Sequence, residues 1–241
     1  MTAAPDAPAR APAADPRLIV PLDQPTTGEA RDLVERIGDA VSFYKIGLQL
    51  LAGHGMSLAG ELRDQGKQVF LDWKLHDIGA TVEKAAAAIA SFEAGDFLTV
   101  HAEPQVLAAA VKGRGSSPLK ILGVTVMTSL TDDDLKAMGY ALGVEALVER
   151  RIHQVLEAGA DGVIASPQEA ALARKIGGPN FLVVTPGIRP AGASLDDQAR
   201  AATPAEALKN GASHLVCGRP IANAEDPRAA ALAIVKEMAG A

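Results

Sequence analysis

The stretch LDWKLHD, which ends at Asp77, carries the charged residues best suited to catalysis. Asp72 and Lys74 lie two positions apart in a segment of β-strand character, so both side chains should point to one face and Trp73 to the other. Where water is scarce, each charge needs an opposite partner. We therefore expect an array of alternating charges formed by Lys45, Asp72, Lys74 and Asp77. Packing alone does not require such a cluster, which is typical of an enzyme site.

The same charged residues allow three other interpretations. They could form an ion-pair network that only stabilises the rim of the fold. A divalent metal ion could instead take its oxygen and nitrogen ligands from Asp23, Asp72, Asp77 and His101. The ammonium group of Lys74 would repel such an ion. A Schiff-base lyase could use Lys45 or Lys74, but it needs a lysine of lowered pKa, and flanking carboxylates favour the protonated form.

Two segments near the end of the chain, TPGIRP and CGRPI, are typical of a phosphate site. Each follows a predicted strand, the seventh and the eighth, where barrel enzymes often bind phosphate. Gly187 and Gly218 allow close approach of the backbone, and Arg219 offers a bidentate donor. Either segment alone could be an ordinary turn with a solvated arginine. The presence of both in the expected loops favours phosphate binding.

Short β-branched runs alternate with longer stretches rich in Ala and Leu from Arg17 onward. The predicted strands are Leu18–Leu22, Ser42–Gly47, Gln68–Trp73, Phe97–His101, Lys120–Val126, Gly162–Ala165, Phe181–Thr185 and His214–Cys217. The clearest predicted helices are Thr81–Ala94, Glu145–Ala158 and Ala205–Asn210. This alternation predicts parallel βαβ units.

The fold predicted from these elements is a (β/α)8 TIM barrel of the α/β class, formed by one catalytic domain over residues 17–241. Eight strands suit closure into a barrel, and the chain length of 241 residues fits one. An open doubly wound sheet would use the same alternation. The glycine-rich fingerprints of dinucleotide and NTP sites are missing from the sequence. In a barrel, the candidate residues would meet at the C-terminal ends of the strands.

Composition narrows the class of protein further. The net charge is -6, which gives no electrostatic footprint for nucleic acid. The single cysteine, Cys217, excludes a disulfide framework. No apolar run approaches a membrane span, and no secretory signal is apparent, so we expect a cytoplasmic protein that binds neither membrane nor nucleic acid. Residues 1–16 are rich in Ala and Pro and are predicted to be a disordered N-terminal extension.

These motifs together resemble the orotidine 5'-phosphate decarboxylase family. The core of the resemblance is the spacing Asp72-x-Lys74-x-x-Asp77-Ile78-x-x-Thr81. Further matches occur in the family's order at Leu22-Asp23, Lys45-Ile46-Gly47, Val126-Met127-Thr128-Ser129, TPGIRP and GRPI. The first motif alone is shared with sugar-phosphate lyases of the same superfamily, whereas the full ordered set is highly specific.

The resemblance implies a reaction and its catalytic residues. The reaction is decarboxylation of orotidine 5'-monophosphate to uridine 5'-monophosphate in de novo pyrimidine synthesis, without metal or organic cofactor. Lys74 would stabilise a carbanion at C6 of the pyrimidine and protonate it. Asp72 would lie near the departing carboxylate and pair with Lys45. Asp77 and Thr81 would reach the ribose in the neighbouring subunit's site, which makes the enzyme a homodimer.

The resemblance also implies how the nucleotide is bound. Asp23 and Lys45 would hydrogen-bond the ribose, while Thr128 and Ser129 would recognise the edge of the base. Gln198 would bridge base and phosphate. The remaining substrate-binding residues, which lie around the phosphate, are Pro186, Arg189, Gly218 and Arg219.

Two points in the sequence depart from this pattern or allow another interpretation. Many family members have Pro-Asn where this chain has Gly79-Ala80, and Thr81 could simply be the N-cap of the next helix. The main alternative function is a Mg²⁺-dependent sugar-phosphate lyase, which would not need Ser129 or Gln198 to read a base. A catalytically silent nucleotide-binding barrel is a third possibility, but pure binding needs no proton donor such as Lys74.

Overall fold

The computed structural model describes residues 14–190 and 201–241. Eight parallel strands, each hydrogen-bonded to the next in chain order, close into a barrel in which β8 pairs with β1. The strands are β1 Leu18–Leu22, β2 Phe43–Ile46, β3 Gln68–Leu75, β4 Phe97–His101, β5 Lys120–Val124, β6 Gly162–Ile164, β7 Leu182–Thr185 and β8 His214–Val216. The predicted (β/α)8 barrel is confirmed.

Helices surround the barrel and carry the chain from each strand to the next. They are α1 Thr27–Ile37, α2 Leu48–Ala52, α3 Gly55–Asp64, α4 Gly79–Ser91, α5 Pro104–Arg114, α6 Asp132–Ala137, α7 Val144–Glu157, α8 Ala170–Gly177, α9 Pro204–Lys209, α10 Arg219–Ala222 and α11 Pro227–Met238, with a 3-10 turn at Gly38–Ala40. Within residues 14–190 and 201–241, no helix has the length and apolarity needed to cross a membrane.

The predicted elements differ from the observed ones mainly at their C-terminal ends. The third strand runs on to Leu75, two residues beyond the prediction, and the fifth ends at Val124 rather than Val126. Helix α4 begins at Gly79, and its N-cap is Ile78. Thr81 therefore lies inside the first turn, and its interpretation as an N-cap is wrong. Capping boxes do begin α6 and α9, where Thr131 and Thr203 are the N-caps.

The hydrophobic core has two layers, one inside the barrel and one between barrel and helices. Alternation along each strand sends every second side chain inward. The inner layer consists of Ile19, Phe43, Phe70, Phe97, Leu122, Val184 and Val216. At the N-terminal end of the barrel, the His214 ring packs edge-on against Phe97, with centroids 5.1 Å apart. The outer layer includes Trp73, as its position in the strand predicts.

The N-terminal rim of the barrel is held by polar side chains that precede β4, β6 and β8. Asp96 accepts a hydrogen bond from the Val69 N–H over 2.8 Å. Asp161 accepts one from Ile121 over 2.9 Å, and the Ser213 hydroxyl accepts one from the Val183 N–H, also over 2.9 Å. In each case the donor is the second residue of the preceding strand, so these side chains join neighbouring strands at the rim.

Candidate active site

A cavity of about 350 Å³ opens at the C-terminal ends of the strands. Most of the predicted site residues line it: Asp23, Lys45, Asp72, Lys74, Thr128, Ser129, Pro186, Arg189, Gly218 and Arg219. They come from strand ends and loops all around the barrel, which explains how residues far apart in sequence meet. This is the end of a TIM barrel at which active sites are built.

Three charged residues of the predicted array are in contact on one wall of the cavity. The Asp72 carboxylate lies between two ammonium groups: Lys74 Nζ is 2.8 Å from Oδ1, and Lys45 Nζ is 3.2 Å from Oδ2. Lys45 Nζ also lies 3.7 Å from Asp23 Oδ1. A Cβ atom at Gly47 would lie 3.3 Å from Lys45 Nζ, so the small residue leaves room for this ammonium.

The surroundings of Asp72 keep its carboxyl group ionised. Burial by itself would raise its pKa, because it removes water from the charged form. The charges of Lys45 and Lys74 and hydrogen bonds from Lys74 and Thr99 outweigh burial, and they hold the pKa of Asp72 below its usual value. The carboxylate is consequently negative at neutral pH and holds both ammonium groups near the cavity.

Thr99 is a site residue that the sequence analysis missed. Its side chain is fully buried, and its hydroxyl donates to Asp72 Oδ1 over 3.0 Å. The Thr99 hydroxyl oxygen also accepts a hydrogen bond from the backbone N–H of Lys74 over 3.0 Å. The only signal in the sequence was a threonine at an inward-facing position of a mostly apolar strand, which is too common to single it out.

Asp77 does not join the other three charges within this chain, so the four residues of the predicted array do not all meet in one subunit. The strand ends at Leu75, and the chain then turns outward. Asp77 is exposed, and its Oδ1 accepts a hydrogen bond from the N–H of Ile78 over 2.6 Å. Ile78 is 72% exposed, and Thr81 is exposed on α4. Within one chain, neither Asp77 nor Thr81 lines the cavity.

The opposite wall of the cavity is formed by the two segments predicted to bind phosphate. Gly187 has a φ of 79°, a conformation that favours glycine. The Arg189 N–H donates to the Ala202 carbonyl over 3.0 Å, and this bond ties the loop after β7 to the start of α9. The Arg189 side chain is buried beside the cavity. Gln198 lies outside the described residues.

Gly218 shows why its position needs glycine. It follows β8 and is the N-cap of α10. A Cβ atom there would lie 2.7 Å from Cγ of Pro21 on β1, which is closer than two carbon atoms can pack. The absence of a side chain leaves the backbone of Gly218 and Arg219 open to the cavity, where the N-terminus of α10 offers N–H groups to an anion.

The floor of the cavity is apolar, which the sequence analysis also missed. Its residues are inward-facing side chains near the ends of the strands, namely Phe70, Val124, Val126, Ile164 and Val216. They look like ordinary core residues in the sequence because their periodicity is that of any buried strand. In the fold they place a surface poor in water beside the Lys74 ammonium, where electrostatic interactions are stronger than in bulk water.

The metal-site interpretation finds no support in the geometry. Over residues 14–190 and 201–241, no three or more side chains of His, Cys, Asp or Glu are grouped as metal ligands would be. His101 instead stacks on His76, with ring centroids 4.7 Å apart. The two lysines that a Schiff-base enzyme could use both contact the Asp72 carboxylate.

Comparison with known proteins finds relatives that match nearly the whole chain. The chain is 68% identical over 228 residues to orotidine 5'-phosphate decarboxylase of Caulobacter sp. strain K31, covering 94% of this chain and 99% of that protein. It is 54% identical to the protein of that name in Rhodopseudomonas palustris strain HaA2, over 95% and 97% of the two chains.

Solved structures and family profiles lead to the same assignment. The crystal structure of orotidine 5'-phosphate decarboxylase from Lactobacillus acidophilus superposes with a TM-score of 0.82 at 37% identity, covering 93% of this chain and 99% of that one. The profile of the family described as orotidine 5'-phosphate decarboxylase / HUMPS matches residues 16–234. The chain therefore belongs to the orotidine 5'-phosphate decarboxylase / HUMPS family.

Proposed function

We propose that this chain is a carboxy-lyase that converts orotidine 5'-monophosphate to uridine 5'-monophosphate, with Lys74 as the catalytic acid. One observation carries the proposal: the Lys74 ammonium lines the cavity and is held by an ionised carboxylate 2.8 Å away. The relatives of 54–68% identity bear the name of this enzyme. A cationic proton donor beside an apolar floor suits a reaction that creates negative charge on carbon.

The chemistry follows from where this charge develops. The bond between C6 and the carboxylate carbon breaks, CO₂ leaves, and the electron pair stays on C6 as a carbanion. The Lys74 ammonium stabilises the developing charge and then transfers a proton to C6, which completes uridine 5'-monophosphate. Lys74 is left as a neutral amine and takes up a proton from solvent before the next turnover.

Asp72 and Lys45 prepare Lys74 for this step. Asp72 accepts the hydrogen bond that fixes Lys74 Nζ at the cavity. Lys45 neutralises the other oxygen of the same carboxylate and, with Asp23, would hydrogen-bond the ribose. With Asp23, the two ammonium groups of this wall face two carboxylates, so its formal charges balance before substrate binds.

The far wall of the cavity would hold the phosphate. Arg189, Gly218 and Arg219, with Pro186 beside them, line that wall. Thr128 and Ser129 line the cavity between the two walls and would recognise the base, and Gln198 would bridge base and phosphate. Binding energy from the phosphate, remote from C6, can then be used to orient the pyrimidine against Lys74.

We further propose that the enzyme is a homodimer in which Asp77 and Thr81 complete the neighbouring subunit's site. Both residues are exposed and lie outside the cavity of their own chain. Two large apolar side chains are also exposed after strands at this end of the barrel, with Ile78 72% and Leu48 57% accessible. Burying them against a second subunit would remove apolar surface from water, which is favourable.

Mixing two inactive variants would test this shared site. Lys74→Ala and Asp77→Ala homodimers are combined and allowed to exchange subunits. About half of the dimers become mixed, each with one intact site of two, so activity should recover to about a quarter of wild type. If mass measurement shows mixed dimers and activity stays at the level of the parents, then Asp77 acts within its own subunit.

The reaction itself is tested by following the loss of orotidine 5'-monophosphate absorbance with and without excess EDTA. We expect equal rates, because Lys74 supplies the positive charge that a metal ion would otherwise provide. Loss of activity in EDTA and its rescue by Mg²⁺ would support the sugar-phosphate lyase instead. The cytoplasmic location stays a prediction, which cell fractionation would test.

A further inference from the structure

Thr99 joins the two charged residues of β3 to the neighbouring strand through one hydroxyl. It donates to Asp72 Oδ1 and accepts from the Lys74 N–H, each over 3.0 Å. A threonine hydroxyl has one proton to donate. Here it donates that proton to the Asp72 carboxylate, and one of its lone pairs accepts the Lys74 N–H. The side chain is fully buried, and water does not compete for either bond.

The backbone at Lys74 is irregular where this hydroxyl meets it. β3 advances four residues from Leu71 to Leu75, while β4 advances two from Leu98 to Val100. Lys74 has a φ of 48°, in the left-handed region that few non-glycine residues adopt. Strained residues of this kind persist only when their surroundings hold them in place, and the Thr99 hydroxyl is part of those surroundings.

We propose that Thr99 is a positioning residue for decarboxylation, an inference that rests on the proposed role of Lys74. Its hydroxyl fixes the Lys74 backbone at one end and the Asp72 oxygen that binds Lys74 Nζ at the other. The backbone and the ammonium group of Lys74 are thus both held in place, the first directly and the second through Asp72, by the Thr99 hydroxyl on β4. Thr99 itself does not line the cavity, so it acts through these residues and touches no reacting atom.

This arrangement predicts a specific kinetic defect when the hydroxyl is removed. Asp72 would lose a fixed donor, and Lys74 would lose its backbone anchor, so Nζ would no longer be held at C6. Misplacement of a catalytic group by about 1 Å can lower the rate a hundredfold. Ground-state binding of the nucleotide uses other residues and should not change. A fall in kcat of about tenfold or more with KM near the wild-type value is the expected pattern.

The test compares Thr99→Val, which keeps the shape and loses the hydroxyl, with Thr99→Ser, which keeps the hydroxyl. kcat and KM are measured with orotidine 5'-monophosphate. Dissociation constants are measured for uridine 5'-monophosphate and for an analogue with an anionic oxygen on C6, which mimics the carbanion. Thr99→Val should lower kcat and weaken binding of the anionic analogue, with affinity for uridine 5'-monophosphate unchanged. Thr99→Ser should restore most of both losses.

Thr125→Val is the matched control. Thr125 is also fully buried and lies directly after β5, but its hydroxyl donates to the Ile164 carbonyl over 2.8 Å and does not line the cavity. Its loss should lower the free energy of unfolding and leave kcat unchanged. If Thr99→Val does not fold, Thr99→Ala takes its place in the same measurements.

Three results would overturn the inference: wild-type kcat in Thr99→Val, a Thr99→Ser enzyme as slow as Thr99→Val, or a defect confined to KM. Lys74→Ala, assayed in parallel, separates this failure from failure of the proposed function. An inactive Lys74→Ala with a fully active Thr99→Val removes only the role of Thr99. An active Lys74→Ala removes the proposed mechanism, and the positioning role with it.

Discussion

Asp72 and Asp161 are similar carboxylates at opposite ends of the barrel, and they serve different purposes. Each lies close to two cationic side chains: Asp72 contacts Lys45 and Lys74, and Asp161 contacts Arg114 and Lys120. Asp161 also accepts a hydrogen bond from a backbone N–H of β5, so it joins neighbouring strands of the barrel. The two cations at Asp72 line the cavity instead. The partners of a buried charge, more than the charge itself, separate a structural pair from a catalytic one.

The largest effect that this comparison predicts is a loss of kcat when a residue at the C-terminal ends of the strands is changed. Lys74→Ala should nearly abolish kcat, because its main interaction is made in the transition state. Affinity for uridine 5'-monophosphate, followed by the fluorescence of Trp73, the only tryptophan, should be largely retained. More than about a tenth of wild-type kcat, a barrier change under about 1.4 kcal/mol, would contradict the assignment.

Arg219→Ala should raise KM strongly and lower kcat to a smaller extent, because phosphate binding helps to orient the pyrimidine. Steady-state kinetics with orotidine 5'-monophosphate measure both constants. Orotidine, which lacks the phosphate, is the control substrate: wild type and variant should process it at the same low rate. Unchanged kinetics with the intact nucleotide would place the phosphate elsewhere.

At the N-terminal rim, we expect a change in stability without a change in catalysis. Asp161→Asn keeps an acceptor for the Ile121 N–H but removes the charge facing Arg114 and Lys120. The free energy of unfolding in urea should fall by about 1–3 kcal/mol, and kcat should equal that of wild type.

The control for Asp161 is Asp39→Asn, which removes a carboxylate that pairs with Arg228 at the surface. The Asp39 side chain is 84% exposed, and exposed ion pairs contribute little, so this variant should unfold almost as wild type does. A loss of kcat in Asp161→Asn, or equal destabilisation by both substitutions, would remove the distinction between the two ends of the barrel.

The last expected effect appears only when the pH is changed: His214, at the same rim, should make the stability depend on pH. Burial lowers the pKa of His214 to about 4, against about 6.5 when exposed. Between these values the unfolded chain binds a proton that the folded chain does not, so stability is complete above pH 6.5 and declines as the pH falls toward 4. The decline should amount to about 3 kcal/mol.

Denaturant unfolding at a series of pH values measures this decline. His214→Gln should flatten the curve over the same window, since the variant has no imidazole to protonate. Asp15 and Arg17 are the charged groups that act on His214, and both remain in the variant. Equal slopes for the two proteins would show that other groups cause the acid sensitivity.

The sequence was sufficient for the barrel and for most of the cavity, because both depend on alternation along strands. Lys45, Asp72 and Lys74 could be predicted to meet because charges on inward-facing strand ends must find partners. Asp77 could not be placed by the same rule, since the strand ends at Leu75 and alternation stops there. Thr99 and the apolar floor escaped because their residue types are ordinary for a buried strand, and only the three-dimensional register shows what they contact.

The polar side chains before β4, β6 and β8 have a consequence for how the barrel comes apart. Each one links a strand to the strand before it, so β3 is fastened to β4, β5 to β6, and β7 to β8. At this rim, these bonds define three two-stranded modules, β3–β4, β5–β6 and β7–β8. Partial opening should separate modules before it splits them, and the amide protons of Val69, Ile121 and Val183 should be among the last to exchange with solvent.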